Sequence, residues 1–140
     1  MIRHFFETKI YYKDVDKMGI TYYSRYLEFF EQARTELFSS IGLKVSNIED
    51  LGIYLPVITC YCDYKISTKF EDKIIIQSEI SKIPKARLKI DYSLKKKNSK
   101  KVSVSGYTIH AFMKENGKST RAPNSILKIL KNNLTEWKTY

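Results

Sequence analysis

The chain predicts an α+β fold, an antiparallel sheet of about five strands wrapped around one long central helix. Three observations carry this reading. From Tyr22 to Ile41 the apolar residues Tyr22, Tyr26, Phe29, Phe30, Ala33, Leu37 and Ile41 recur at helical spacing. Beyond residue 50, four stretches of strand character follow one another with no second long helix between them. Turn chemistry separates them, with Asn116-Gly117 as the strongest short hairpin signal.

In chain order, Thr8 to Tyr12 reads as a short strand and Lys13 to Thr21 as a loop. The helix follows, about five turns long at 3.6 residues per turn, with Arg25, Glu28, Gln32, Thr35, Glu36 and Ser39 on its polar side and Gly42 as its stop. Its apolar side is rich in aromatic rings, and such a face needs a curved sheet to cover it. Lys44 to Asp50 is a short helical or irregular link. The strands expected next are Tyr54–Ile66, Lys73–Ile83, Ala86–Lys96 and Val102–Lys114. The third alternates apolar and polar residues, so one face is buried and one is wet. Asn124 to Leu134 carries Ile126, Leu127, Leu130 and Leu134 on one face of a short helix.

The length of 140 residues implies one domain spanning 1–140, long enough to bury about two thirds of its unfolded surface without staples. The formal net charge is +10, which admits nucleic acid, an anionic membrane or an anionic ligand as partner. Nine of the 25 Lys and Arg lie between Lys82 and Lys101. There they alternate with apolar residues or crowd the hairpin tip Lys95–Lys101, so they form a solvated strand face and a soluble turn. The aromatic residues lie on the core helix rather than among these cations, contrary to single-strand binding. No stretch approaches the roughly 20 apolar residues of a membrane span. Cys60 and Cys62, two apart on a strand, share a face and do not satisfy disulfide geometry; buried or half-buried free thiols and a reducing, cytoplasmic compartment are expected. No Gly-rich phosphate loop or metal-ligand cluster is present.

The chemistry concentrates in Asp14-Val15-Asp16-Lys17-Met18-Gly19, directly before the long helix. A helix N-terminus exposes unpaired N–H groups and carries partial positive charge, which can hold a negative charge developing on a carbonyl oxygen. A carboxylate beside it can attack a carbonyl or activate water. Taken alone, such a carboxylate pair more often caps a turn or helix.

The run continues as Tyr22-Tyr23-Ser24-Arg25-Tyr26-Leu27-Glu28-Phe29-Phe30-Glu31-Gln32-Ala33-Arg34-Thr35-Glu36. From Tyr11 to Glu36 it resembles the signature of the hotdog-fold acyl-CoA thioesterases, in the 4-hydroxybenzoyl-CoA thioesterase and YbgC-like branch. The resemblance implies Asp16 as nucleophile or general base, Asp14 as scaffold, and the Tyr23 backbone N–H as donor to the thioester oxygen. Many YbgC-like members carry His where Tyr23 stands, so a His-dependent step does not transfer. It further implies Tyr12 beside the carboxylate, against the alternative of a core strand aromatic. Gly19 is implied at the acyl group, against a plain turn glycine. Thr59 would line the site across a dimer interface, against an ordinary strand Thr. Lys85, Arg87 and Arg121 would meet the phosphates of coenzyme A, against solvated surface charges. Glu31 and Arg34 read as a structural i, i+3 pair, and His110 as a hydrogen-bonded strand histidine.

The resemblance implies hydrolysis of aryl or short-to-medium acyl-CoA thioesters by a homo-oligomer, a dimer at least and a tetramer by analogy, with no cofactor beyond the coenzyme A of the substrate. Acyl groups on acyl carrier protein, an acidic partner suited to the +10 charge, are the alternative substrate. A non-catalytic acyl-CoA-binding protein is the alternative class.

Overall fold

The computed structural model describes residues 1–134. Residues 135–140, the end of the expected domain, lie outside the described residues. Strands β1 (Ile2–Lys9), β2 (Ile53–Tyr54), β3 (Val57–Tyr64), β4 (Lys73–Ile80), β5 (Arg87–Lys96), β6 (Val102–Lys114) and β7 (Ser119–Thr120) form one sheet. The helices are α1 (Arg25–Ser40), α2 (Val45–Asp50) and α3 (Asn124–Leu134). Five strands are long and two are two-residue stubs, and every pairing is antiparallel. The long strands run in the order β1-β4-β5-β6-β3.

The first strand differs from expectation. It occupies Ile2–Lys9, paired in full register with β4, and Tyr12–Asp14 is a 3-10 turn. The adjacent Phe5 and Phe6 blur the period of two, yet β1 alternates: Ile2, His4, Phe6 and Thr8 face inward and their neighbours face out. The expected Tyr54–Ile66 strand is broken at Pro56, which has no N–H to offer the ladder; the Pro56 carbonyl still accepts Ala111 N–H at 3.1 Å.

Helix α1 starts at Arg25, three residues later than expected, and lays Tyr26, Phe29, Phe30, Ala33, Leu37 and Phe38 against the sheet. The core side of the sheet supplies Ile74, Ile76 and Ile80 from β4, and Leu88, Ile90, Tyr92 and Leu94 from β5. Phe30 stacks on Tyr92 with ring centroids 4.4 Å apart and planes 5° from parallel. β6 has Gly106 where Phe30 presses down.

Strand β3 pairs with β6 on one side only, and six of its eight residues are exposed, among them Val57, Ile58, Tyr61 and Tyr64. Cys60 lies on this edge, exposed rather than buried, and Cys62 is half-buried; both are free thiols. Arg34 does not pair with Glu31: no ion pair within 4.0 Å joins them among the described residues. The Arg34 guanidinium turns instead toward the Tyr92 hydroxyl.

Candidate active site

The segment between β1 and α1 folds into a tight hairpin. Asp16 N–H donates to Ile20 O at 3.0 Å, Gly19 N–H donates to Asp16 O at 3.0 Å, and Val15 bridges Thr21. Gly19 closes this turn at φ +78°, a conformation L side chains rarely adopt. A Cβ there would meet open space, so the turn, not crowding, demands glycine.

The two carboxylates separate by environment. Asp14 is buried; its Oδ2 accepts Tyr11 N–H at 2.9 Å, its Oδ1 accepts Lys13 Nζ at 3.0 Å, and Arg25 Nε lies 4.0 Å away. Its backbone carbonyl accepts Tyr22 N–H at 2.8 Å. All of these bonds tie the loop to itself and to the helix start. Asp16 is half-exposed, and its Oδ1 accepts Met18 N–H at 2.8 Å. Its Oδ2 has no protein partner among the described residues.

Asp16 borders a cavity of about 310 Å³ with Thr21, Tyr22, Tyr23, Tyr26 and Tyr64. Tyr23 precedes α1 by two residues, and Ser24 is its N-cap. Neither Tyr23 N–H nor Ser24 N–H meets a protein acceptor among the described residues. They lie at the positive, N-terminal end of the α1 dipole. The Tyr23 carbonyl accepts the Tyr64 hydroxyl at 3.2 Å. Burial, and then the neighbouring Cys62 thiol, push the Tyr64 phenol up to about 12. The Tyr22 phenol is raised by its hydrogen bond with Tyr23 and then by the Tyr23 charge, burial and the nearby Asp16 carboxylate. Both phenols therefore stay protonated at neutral pH, and Tyr64 donates to the loop.

Other expected site residues fall elsewhere. Tyr12 is 77% exposed and sets its ring edge-on to Phe70 at 5.6 Å; it does not line the Asp16 cavity. Thr59 lies exposed on β3, on the outer face shared with Tyr61 and away from α1. Lys85 and Arg87 line a shallow cavity of about 220 Å³ at the β4–β5 turn. Ala122 N–H donates to Lys85 O at 2.8 Å, which brings Arg121 to the same turn. By their backbone positions, Lys85, Arg87 and Arg121 thus lie at the same end of the sheet. Arg87 pairs with Ala111 on β6, whereas Tyr64, at the Asp16 cavity, pairs with Val104. Seven residues of strand separate these levels, about 23 Å at 3.3 Å per residue.

Sequence reading did not single out Tyr64, Thr21 or Thr68. Tyr64 lies in the Tyr54–Ile66 strand that was anticipated, but which end of it meets the loop depends on the β3–β6 register. His110 is the buried strand histidine expected: its Nδ1 lies 3.0 Å from Leu55 O and its Nε2 2.8 Å from Thr108 Oγ1, which in turn lies 2.8 Å from Tyr92 OH. The Leu55 carbonyl only accepts, so Nδ1 carries the proton and Thr108 donates to Nε2. Among the described residues no group of three or more His, Cys, Asp and Glu could hold a metal ion, and no helix is long and apolar enough to cross a membrane.

Residues 11–130 match the family described as the thioesterase-like superfamily. The chain belongs to that superfamily. It is a thioester hydrolase with the hotdog fold, its sheet wrapped on α1. Over 90 residues it is 31% identical to the acyl-CoA thioesterase YbgC of Haemophilus influenzae, covering 64% of this chain and 66% of that one. Over 91 residues it is 25% identical to the 1,4-dihydroxy-2-naphthoyl-CoA hydrolase of Synechococcus elongatus, covering 64% and 67%. The crystal structure of a DHNA-CoA thioesterase from Staphylococcus aureus superposes with a TM-score of 0.89 over 100% of this chain and 97% of that one. At 23% identity that likeness concerns the fold.

Proposed function

We propose that this thioesterase hydrolyses aryl or short-to-medium acyl-CoA thioesters to the free acid and coenzyme A. One observation carries the proposal: a carboxylate with an unpaired oxygen, Asp16 Oδ2, shares a cavity with the Tyr23 segment and its unpaired N–H groups ahead of α1. A thioester carbonyl between them meets an attacking group on one side and hydrogen-bond donors on the other. Asp16 attacks the carbonyl carbon, or takes a proton from the water that attacks. The Tyr23 N–H holds the oxygen as it becomes negative, a contribution of about 3 kcal/mol for one such donor. The thiolate of coenzyme A leaves and is protonated by solvent; where Asp16 itself has attacked, water then cleaves the resulting acyl–Asp16 anhydride, releasing the acid and restoring the carboxylate. No step draws on a metal or redox cofactor.

The substrate class follows from the relatives, whose names specify acyl-CoA and aryl-CoA thioesters. The basic group Lys85, Arg87 and Arg121 suits the phosphates of coenzyme A, but it lies a strand length from Asp16 within one protomer. An antiparallel two-fold at the open edge of β3 would reverse the partner's strands and bring its basic end beside this Asp16. The exposed Val57, Ile58, Tyr61 and Tyr64 on that edge support such a pairing, since an unpaired apolar strand edge invites another strand. A homodimer is therefore the smallest working unit in this reading, and a tetramer a pair of such dimers. Thr59, on the same strand, would then face the two-fold. The free thiols fit a reducing, cytoplasmic setting.

The net charge of +10 favours a second substrate form, an acyl group on the acidic acyl carrier protein. Turnover of matched coenzyme A and carrier-protein thioesters separates the two. The mechanism itself is tested by turnover of an aryl and aliphatic acyl-CoA panel with wild type and Asp16→Asn. Equal rates would refute it, and binding without turnover by wild type would favour a non-catalytic acyl-CoA binder.

A further inference from the structure

Thr68 lies in the connection between β3 and β4 and is fully buried. It makes an unusual number of bonds to the segment that carries Asp16. Its carbonyl accepts Thr21 N–H at 2.8 Å and the Thr21 hydroxyl at 3.1 Å. Its own hydroxyl lies 2.6 Å from Thr21 Oγ1 and 2.9 Å from the Tyr26 hydroxyl. Its N–H donates to the Tyr26 oxygen at 3.3 Å.

One proton order satisfies every atom. The Thr68 carbonyl only accepts, so the Thr21 hydroxyl donates to it and accepts from the Thr68 hydroxyl. The Thr68 oxygen then accepts from the Tyr26 hydroxyl, which itself accepts from Thr68 N–H. The three residues are all buried, so each bond is shielded from water and each lost partner leaves an unsatisfied polar group.

The placement of these bonds gives them a consequence. Thr21 forms the return arm of the Asp16 hairpin, bridging Val15. Tyr26 is in the first turn of α1. Thr68 thus grips the hairpin and the helix start together, on either side of the Tyr23 N–H. We propose that Thr68 is a positioning residue for thioester hydrolysis, setting the separation of the Asp16 carboxylate from the N–H groups ahead of α1. This rests on the reading of Asp16 and Tyr23 given above.

The test compares Thr68→Val, which keeps the shape and loses the hydroxyl, with Thr68→Ser, which keeps the hydroxyl. Steady-state kinetics on one good acyl-CoA substrate and thermal unfolding are measured for both, for Tyr26→Phe and for Asp16→Asn. Misplacing a catalytic group by about 1 Å costs up to about a hundredfold, so Thr68→Val is expected to lower kcat about tenfold or more, with KM within about threefold. Thr68→Ser is expected to restore most of kcat. A folded Thr68→Val with wild-type kcat overturns the inference, as does a Thr68→Ser no better than Thr68→Val. Should Thr68→Val fail to fold, Tyr26→Phe decides: lowered kcat at unchanged KM supports the role, and unchanged kcat removes it. An Asp16→Asn enzyme of wild-type rate would instead sink the reading of the site, whereas an inactive Asp16→Asn beside an unaffected Thr68→Val sinks the positioning role alone.

Discussion

Asp16 accepts the backbone N–H of Met18 through one carboxylate oxygen, at 2.8 Å, and leaves the other to the cavity. The bond closes an Asx turn that holds the side chain still. Asparagine keeps an acceptor oxygen for Met18 but loses the charge; alanine loses both. Asp16→Asn is therefore expected to unfold like wild type, while turnover falls by about 10² to 10⁴, the range for removing a general base. Asp16→Ala is expected to lose the same activity and about 1 kcal/mol of stability besides. Paired urea unfolding and acyl-CoA assays check both. Retained activity in Asp16→Asn, or equal stability of the two variants, would contradict the assignment.

The contrast between Asp14 and Asp16 marks how far the sequence was legible. Their order before an aromatic helix pointed to the candidate site, and the family resemblance assigned the reactive role to Asp16 and the scaffold role to Asp14. What the pattern could not supply was partnership across the chain. Thr68 and Tyr64 reach the site only because the β3–β6 register and the β3–β4 connection carry them there, and no local spacing encodes that. Tyr12 illustrates the reverse case: the resemblance implied a ring beside the catalytic carboxylate, but the 3-10 turn sets that ring onto Phe70. The long helix and β5 were legible because their periodicity is sustained. β1 was not, because Phe5 beside Phe6 hides an alternation that pairing with β4 imposes.

Gly106 occupies the point where α1 presses on the sheet. A Cβ there would collide with the Tyr61 carbonyl and come within 2.9 Å of Phe30 Cε2. The Tyr61 atom is backbone and Phe30 is stacked on Tyr92, so neither can move alone. Gly106→Ala is expected to cost about 1 to 3 kcal/mol, as overpacking of a tight core does. The urea midpoint should fall with an unchanged slope, and an unaltered midpoint would mean that β3 moves away from β6 at little cost.

Burial lowers the His110 imidazole below its ordinary value of 6.5, with the Arg34 charge acting the same way and the Leu55 hydrogen bond opposing them. The unfolded chain thus binds the proton more readily than the fold does, and stability rises with pH in this window. The contribution is fully present above about pH 6.5 and is lost as pH falls from there through the folded-state value. His110→Gln removes the titration. The gap in urea midpoint between wild type and variant should shrink on going from about pH 7.5 to about pH 5, and a gap independent of pH would place the imidazole in one protonation state throughout.

Lys85, Arg87 and Arg121 sit together at one end of the sheet and Asp16 at the other, about 23 Å away along the strands. If each basic group serves the partner's carboxylate, two defective subunits can repair each other. Asp16→Asn keeps its basic group, and Arg121→Ala keeps its carboxylate. In a mixed dimer one composite site is intact and the other carries both defects. Random exchange makes half the dimers mixed, so activity at low substrate should rise to about a quarter of wild type, as two-fold symmetry requires. The measurement is turnover after co-refolding the two variants at equal amounts, with each refolded alone as control. A mixture no more active than the mean of its controls would mean that the basic group serves its own subunit's carboxylate or none. Ile58→Lys, a charge on the open β3 edge, adds an independent check: it should yield monomers by light scattering, and those monomers should lose turnover although their Asp16 cavity is unaltered.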